Sequence, residues 1–488
     1  MSADNLKQRA VTGGIWYGGT RIIIQSMTWV VTVLVARVLS PSDYGLYGFG
    51  TLVTGLVDLI SELGIGAAII QRRDLEEDEL GTVFWLSLSF SLFAYGITWL
   101  CAPFIASFFN QPQLVLVLRV LMLTFFISSL RIISWNLLTK RVDFKRRSQI
   151  EVAANLTGSA TTLVMAYTGF GVWSLITGIL SRQAMLTLGC YWILPWRPHL
   201  RITKTGFHKV FGFGLYVSAS RVAWYLHSNA DSFIVGKLLG QQQLGFYSMM
   251  YQFIALPVDR ISSIVNQVAY PVYSEIQDQP ERLKRYFLKL VGLVSLITFP
   301  LFCGMFLVVD IAIPVLLTQK WTPLVAPLRL MCGVGMLMSI SVLISPAVLA
   351  KGRPELSLKF GILCLVIMPA GYFIGARYGL VGVCWAWLIL YPVVTTIWCV
   401  ITRRVIGYKW AELVAALKPA ASCTAGMCTF VVGVRAATDS RCHGLIQLVI
   451  LVGAGVGSYL IVFGLGFRSR LAELRALFSR EKKVAMAV

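Results

Sequence analysis

Apolar runs of about 20 residues, the length a helix needs to cross a bilayer, recur from one end of this sequence to the other. Such runs cannot all be buried inside one soluble domain. The composition agrees: 57% of the 488 residues are hydrophobic and only 13% are charged, against roughly 25% charged in a soluble domain. An ordinary soluble enzyme, a disordered chain and a fibrous repeat are excluded. The chain reads as an all-α polytopic membrane protein.

Periodicity predicts fourteen transmembrane helices, at 12–36, 44–70, 81–105, 114–138, 150–167, 171–194, 207–239, 245–273, 287–317, 323–350, 356–376, 380–401, 412–434 and 444–466. Pro257 in the eighth and Pro300 and Pro314 in the ninth predict kinks. The polar start of the chain and the length of the first apolar run argue against a cleavable signal. Nine of the ten cysteines lie in apolar runs and none has metal spacing, so no cofactor or metal is expected.

The net charge of +21 would suggest nucleic acid on a soluble protein. Here its distribution gives another cause. Thirty of the 43 Lys and Arg fall in the two tails and in the alternate loops 71–80, 139–149, 195–209, 275–290, 351–359 and 402–418. The opposite loops hold six. That asymmetry is the positive-inside pattern. It places both termini in the cytoplasm and removes the need for a nucleic-acid partner. No loop exceeds about 17 residues, which leaves no room for an extramembrane catalytic domain, so the chain is not expected to be an enzyme.

An internal repeat runs at an offset of 200 residues. VARVLSPSDYGLY (35–47) aligns with VGKLLGQQQLGFY (235–247), setting Gly45 on Gly245 and Tyr47 on Tyr247. Arg21 falls on Arg221, and Thr28 and Thr32 fall on Ser228 and Ser232. The hairpins YTGFGVW (167–173) and RYGLVGV (377–383) echo each other. The expected organisation is an N-lobe of six helices (1–200), a C-lobe of six (201–410), two extra C-terminal helices (411–466) and a basic amphipathic tail on the cytoplasmic surface (467–488). An even repeat unit gives a parallel repeat, the arrangement in which a substrate site lies between halves and access alternates.

Ionisable groups within spans are costly and face a cavity or a partner. Arg21, Gln25, Thr28 and Thr32 share one helix face, and Arg221, Tyr225, Ser228 and Ser232 repeat that spacing. Asp58 and Glu62 line up with Thr51 and Thr54. Asp259, Ser263 and Asn266 share a face beside Arg260. These helices are expected to line a polar cleft. Arg182 and Arg329 add charge on the sixth and tenth helices. A second reading stands beside this one: a mid-helix arginine pairs with an aspartate only to hold the bundle together. Asp310, near an outer end, is expected to be solvated. His227 is expected to be a hydrogen-bonded packing residue. No GxxxxGK[ST] motif is present, which argues against nucleotide-driven transport.

LSPSDYGLY, DSFIVGKLLGQQQLGFYSMMYQ and YPVYSEIQDQPERLKRYF resemble polysaccharide flippases of the Wzx type, in the multidrug/oligosaccharidyl-lipid/polysaccharide exporter superfamily. The resemblance is nearest to exporters of colanic acid and similar exopolysaccharide units, and it covers nearly the whole chain. It implies translocation of undecaprenyl-diphosphate-linked oligosaccharide repeat units across a bacterial inner membrane, with membrane lipids as surroundings and polysaccharide polymerase and assembly proteins as partners. Depth and helix face, not the resemblance, nominate Arg21, Arg221, Arg260, Arg329 and Tyr225 as substrate contacts. The same criteria nominate Asp58, Glu62, Asp231 and Asp259 as their pairing partners or ion-coupling groups. The competing expectation is a cation-coupled multidrug or small-molecule exporter of the same superfamily. Seven arginines within the spans argue against cationic cargo.

Overall fold

The structure is a computed structural model that describes residues 20, 23–61, 77–140, 144–198, 222, 225–265, 269–439 and 442–466. Every regular element among them is helical. A bilayer imposes this, because a backbone that meets no water must bond within its own segment. Seven stretches are long and apolar enough to span: Asp78–Phe108, Pro280–Leu317, Gln319–Ala350, Pro354–Ala376, Gly379–Ile406, Trp410–Thr438 and Leu445–Gly466. The pair Leu114–Leu130 and Ile132–Lys140, bent by 49°, makes an eighth if counted as one span. The chain is a multi-pass membrane protein.

The chain forms two compact units, 1–245 and 246–488. In the first we label α1 (Ile23–Val38), α2 (Pro41–Ser61), α3 (Glu77–Phe108), α4 (Leu114–Leu121), α5 (Leu123–Leu130), α6 (Ile132–Lys140), α7 (Phe144–Tyr167), α8 (Val172–Ile193) and α9 (Ala230–Leu239). Helix α10 (Gln241–Ile264) carries the chain into the second unit. There follow α11 (Tyr270–Glu275), α12 (Pro280–Leu317), α13 (Val325–Ser341), α14 (Ile344–Ala350), α15 (Pro354–Ala376), α16 (Gly379–Ile406), α17 (Trp410–Thr438) and α18 (Leu445–Gly466).

Several breaks differ from expectation. The helix expected over 114–138 is divided into α4, α5 and α6. The one expected over 245–273 continues through Pro257 to Ile264 as α10 and is helical again in α11, with residues 266–268 outside the described residues. The one expected over 323–350 breaks between Ser341 and Ile344. Pro346 lies just beyond, and its ring cannot supply the N–H that the carbonyl of residue 342 would need. Helix α12 begins two turns earlier than expected, at Pro280, whose fixed φ suits a first helical position. The charged start of α12 reads as loop by hydropathy. It is stabilised as helix by Lys284, whose ammonium lies 2.9 Å from Glu281 and 3.4 Å from Glu412 of α17.

The loop LSPSDYG earns its helix start locally. The Ser40 hydroxyl donates to Asp43 Oδ2 at 2.6 Å, and the Asp43 N–H donates back to Ser40 Oγ at 3.2 Å. Asp43 Oδ1 then accepts the N–H of Val172, at the head of α8, at 3.1 Å. One carboxylate thus caps α2, where the helix dipole favours negative charge, and ties it to the hairpin at 167–173.

The two copies of the repeat loop meet each other within the first unit. A methyl group placed on Gly45 would sit 1.8 Å from the carbonyl oxygen of Gln241, and one on Gly245 would sit 1.8 Å from that of Pro41. The contact is reciprocal at the same 200-residue offset that the sequence shows. The Gln241 amide adds a bond to the Ser42 carbonyl at 2.8 Å. Only a residue without Cβ permits this approach.

Gly45→Ala or Gly245→Ala is therefore expected to lower stability by about 2–3 kcal/mol, because the clash is with backbone and no rotamer relieves it. Gly96→Ala, with nothing within 4 Å of the added methyl, is expected to be neutral or to gain about 0.5–1 kcal/mol. Thermal unfolding of the three purified variants checks the contrast.

Candidate functional site

Three described helices are long enough to cross a bilayer but too polar to stand among the apolar spans: α7, α8 and α10, of 24, 22 and 24 residues. Their polar side chains cannot face hydrocarbon without cost. In the first unit, α2, α5 and α8 enclose an open cavity of about 270 Å³ lined by Thr51, Thr54, Gly55, Thr124, Phe125, Ser128, Ile179 and Gln183. None of these residues is charged.

Tyr225 lies beside this cavity. Its hydroxyl donates to the carbonyl oxygen of Leu52 at 3.0 Å and lies 3.4 Å from that of Thr51. The ring reaches α2 at Gly55, where a Cβ would stand 2.4 Å from the hydroxyl oxygen. On the cavity's α8 side, Arg182 Nε donates to Asn155 Oδ1 of α7 at 3.2 Å. About two turns away on α7, Arg147 Nε donates to Glu151 Oε1 at 3.2 Å, and its guanidinium covers the Trp135 ring at 4.5 Å.

The other nominated residues fall as follows. Arg21, Arg221 and Glu62 lie outside the described residues, as does Asn266, and of Asp58 only the helical backbone is described. Asp231 is buried in the first turn of α9, where the helix dipole favours its charge, and accepts the Ser232 N–H at 2.6 Å. Asp259 and Arg260 are both exposed on α10, where adjacent opposite charges call for water or a polar partner. His227 departs from expectation, because its Nδ1 is buried with no hydrogen bond. Arg119 stacks on Trp99 at 4.0 Å.

Arg329 and Asp310 belong together in the second unit. Asp310 of α12, expected to be solvated, is instead the centre of an ion network. Arg435 of α17 grips it with both ends of its fork, Nη1 to Oδ1 at 3.2 Å and Nη2 to Oδ2 at 2.5 Å. Arg435 Nη1 also donates to the Leu307 carbonyl at 2.7 Å. Arg329 Nη2 of α13 reaches Asp310 Oδ1 at 3.1 Å. Asp439, 4.0 Å from Arg435 Nε, accepts from Gln447 of α18. Three helices are joined through one aspartate, Asp439 extends the network to α18, and hydropathy gave no sign of it because the partners are far apart in sequence.

Thr124, Ser128 and Gln183 were not nominated from the sequence. Thr124 and Ser128 are four residues apart and so share a helix face. That spacing was a usable signal, but no ionisable residue accompanied it.

The comparisons with known proteins agree with this architecture. A family model described as "Polysaccharide biosynthesis protein" matches residues 34–326. The chain belongs to that family. It is 27% identical over 417 residues to the lipopolysaccharide biosynthesis protein WzxC of Escherichia coli (strain K12), covering 85% of each chain. It is 26% identical over 471 residues to the teichuronic acid biosynthesis protein TuaB of Bacillus subtilis (strain 168), covering 94% of this chain and 96% of that one. Among solved structures, the fold is similar to the lipid II flippase MurJ in an inward closed conformation (TM-score 0.74, 14% identity, 94% of this chain and 100% of that one). It is also similar to an inward-facing multidrug resistance MATE family transporter (TM-score 0.64, 21% identity, 78% of this chain and 94% of that one).

Removing the carboxylate in Asp310→Ala leaves two guanidinium groups facing each other. Both side chains of the Asp310–Arg435 pair are about 30% exposed, so screening moderates the cost. A double-mutant cycle with Arg435→Ala is expected to show a coupling energy of about 1–3 kcal/mol. Additive losses in denaturant unfolding would mean that the pair adds nothing.

Proposed function

We propose that this protein is a flippase that carries undecaprenyl-diphosphate-linked oligosaccharide repeat units from the cytoplasmic to the periplasmic leaflet of a bacterial inner membrane for polysaccharide biosynthesis. The observation that carries the reading is a membrane fold of the polysaccharide biosynthesis family in which three described span-length helices, α7, α8 and α10, are too polar to stand among the apolar spans. A diphosphate with attached sugars is costly to move through hydrocarbon without compensation. Polar helices within the bilayer supply that compensation while a polyprenyl tail stays in lipid.

The finer organisation follows the sequence. Fourteen helices form two six-helix repeats, 1–200 and 201–410, with helices 411–466 and a tail 467–488 added, and both termini are cytoplasmic. The reciprocal Gly45 and Gly245 contact supports the repeat. The 30-to-6 distribution of basic residues supports the orientation. Translocation proceeds by alternating access. Arg21, Arg221 and Arg260 contact the diphosphate, since guanidinium forks match phosphate oxygens. Asp58, Glu62 and Asp259 hold these arginines in the empty state or couple an ion. Tyr225 contacts a sugar of the head, and Asp231 is a further pairing or ion-coupling group. Arg329 has its partner in Asp310 and serves the bundle, so it leaves the set of headgroup contacts.

Alanine at both Arg21 and Arg221 is expected to abolish polysaccharide export while membrane content of the protein stays normal. Export at the wild-type level by that double variant would refute their role. A deletion strain is expected to accumulate lipid-linked oligosaccharide without becoming drug-sensitive. The reverse phenotype would favour a drug exporter.

A further inference from the structure

The cavity enclosed by α2, α5 and α8 has a one-sided hydrogen-bonding surface. A hydroxyl has one proton and two lone pairs. Thr51 donates its proton to the Gly48 carbonyl at 2.9 Å, and Thr54 to that of Thr51 at 3.4 Å. Thr124 donates to Leu121 at 2.6 Å and Ser128 to Phe125 at 3.0 Å. All four hydroxyls donate to a carbonyl three residues back along the chain, so these oxygens have lone pairs left to offer. Gln183 adds a fifth acceptor, because its Oε1 is buried and accepts no hydrogen bond. A buried oxygen without a donor costs free energy in the empty protein, and such an orphan marks a place where a partner is missing.

We propose that this cavity is a subsite for one sugar ring of the transported head, held through the sugar's hydroxyl donors; the inference rests on the flippase reading above. The ligand must bring several donors and no net charge. A diphosphate is poorly matched, since the four hydroxyl oxygens and Gln183 Oε1 offer it only acceptors, the Gln183 amide N–H groups are the donors left, and none of the described lining residues is cationic. Among the described lining residues none carries a carboxylate to balance a bare cation. A pyranose meets both conditions, with hydroxyl donors around its rim and C–H faces for Phe125 and Ile179. The volume of about 270 Å³ is that of about nine liquid water molecules. It admits one ring and not an oligosaccharide. The arginines and the acceptor cavity then divide the head between them, charge to one and hydroxyls to the other.

The test uses the full chain in lipid nanodiscs and two probes, undecaprenyl diphosphate and undecaprenyl diphosphate bearing a single glucose. The wild type is expected to bind the glucosylated probe about 30-fold more tightly, as three neutral hydrogen bonds provide. Combining Thr51→Val, Ser128→Ala and Gln183→Leu is expected to erase that advantage and leave affinity for the bare diphosphate unchanged. Thr51→Ser with Thr124→Ser retains the oxygens and is expected to retain the advantage. Without probe, Gln183→Leu is expected to raise the thermal midpoint by about 1–2 °C by removing the orphaned oxygen. A fall would assign the amide to the fold and overturn the subsite. A wild type indifferent to the sugar, or a triple variant that keeps the full advantage, would overturn the subsite and leave the flippase reading standing. A wild type that binds neither probe would remove the flippase reading, and the subsite with it.

Discussion

A hydrocarbon interior offers no hydrogen bonds, and that constraint orders this molecule. Backbone groups answer it by forming helices. Hydroxyl side chains answer it by donating to the carbonyl one turn back, as Thr28 does to Ile24 and Thr51 does to Gly48. Charged groups answer it in pairs, as around Asp310. The same rule makes the exceptions informative. An exposed Asp259 beside an exposed Arg260 and an unpartnered Gln183 oxygen are tolerable only where water or cargo takes the place of lipid.

Close helix approach is the second determinant. Lipid supplies little hydrophobic drive between helices, so packing depends on small residues at crossings. The reciprocal contact at Gly45 and Gly245 joins two loops whose sequences align, and Gly55 receives Tyr225 at α2. The residues that give the loops their identity therefore do positional work. Ser40 and Asp43 start α2, Asp43 reaches α8, and the glycines set the spacing.

Much of this was legible in the sequence. Apolar run length located the spans from Pro280 to Gly466 closely, because lipid-facing helices are nearly uniform in hydropathy. The contact between Gly45 and Gly245 lies at the 200-residue offset that the sequence shows, where neither glycine has a substitute. What periodicity could not give was long-range pairing: Arg435 lies 125 residues from Asp310, and nothing local announces the match. The break ahead of α14 was missed because a proline's effect falls on the preceding turn, so the break precedes Pro346. The acceptor cavity was half legible. Thr51 and Thr54 were seen in line with Asp58, but Thr124, Ser128 and Gln183 carry no charge to draw attention. Their significance lies in where their protons go, which only coordinates show.

The central claim is that the protein provides a polar passage for a phosphosugar head that the bilayer refuses. Leaflet exchange measures this directly. Purified protein is reconstituted in liposomes with a fluorescent undecaprenyl-diphosphate oligosaccharide, and a membrane-impermeant quencher is added outside. The account predicts that protein-bearing liposomes bring most of the probe within reach of the quencher, while protein-free liposomes stop near one half. Equal quenching in the two would contradict it.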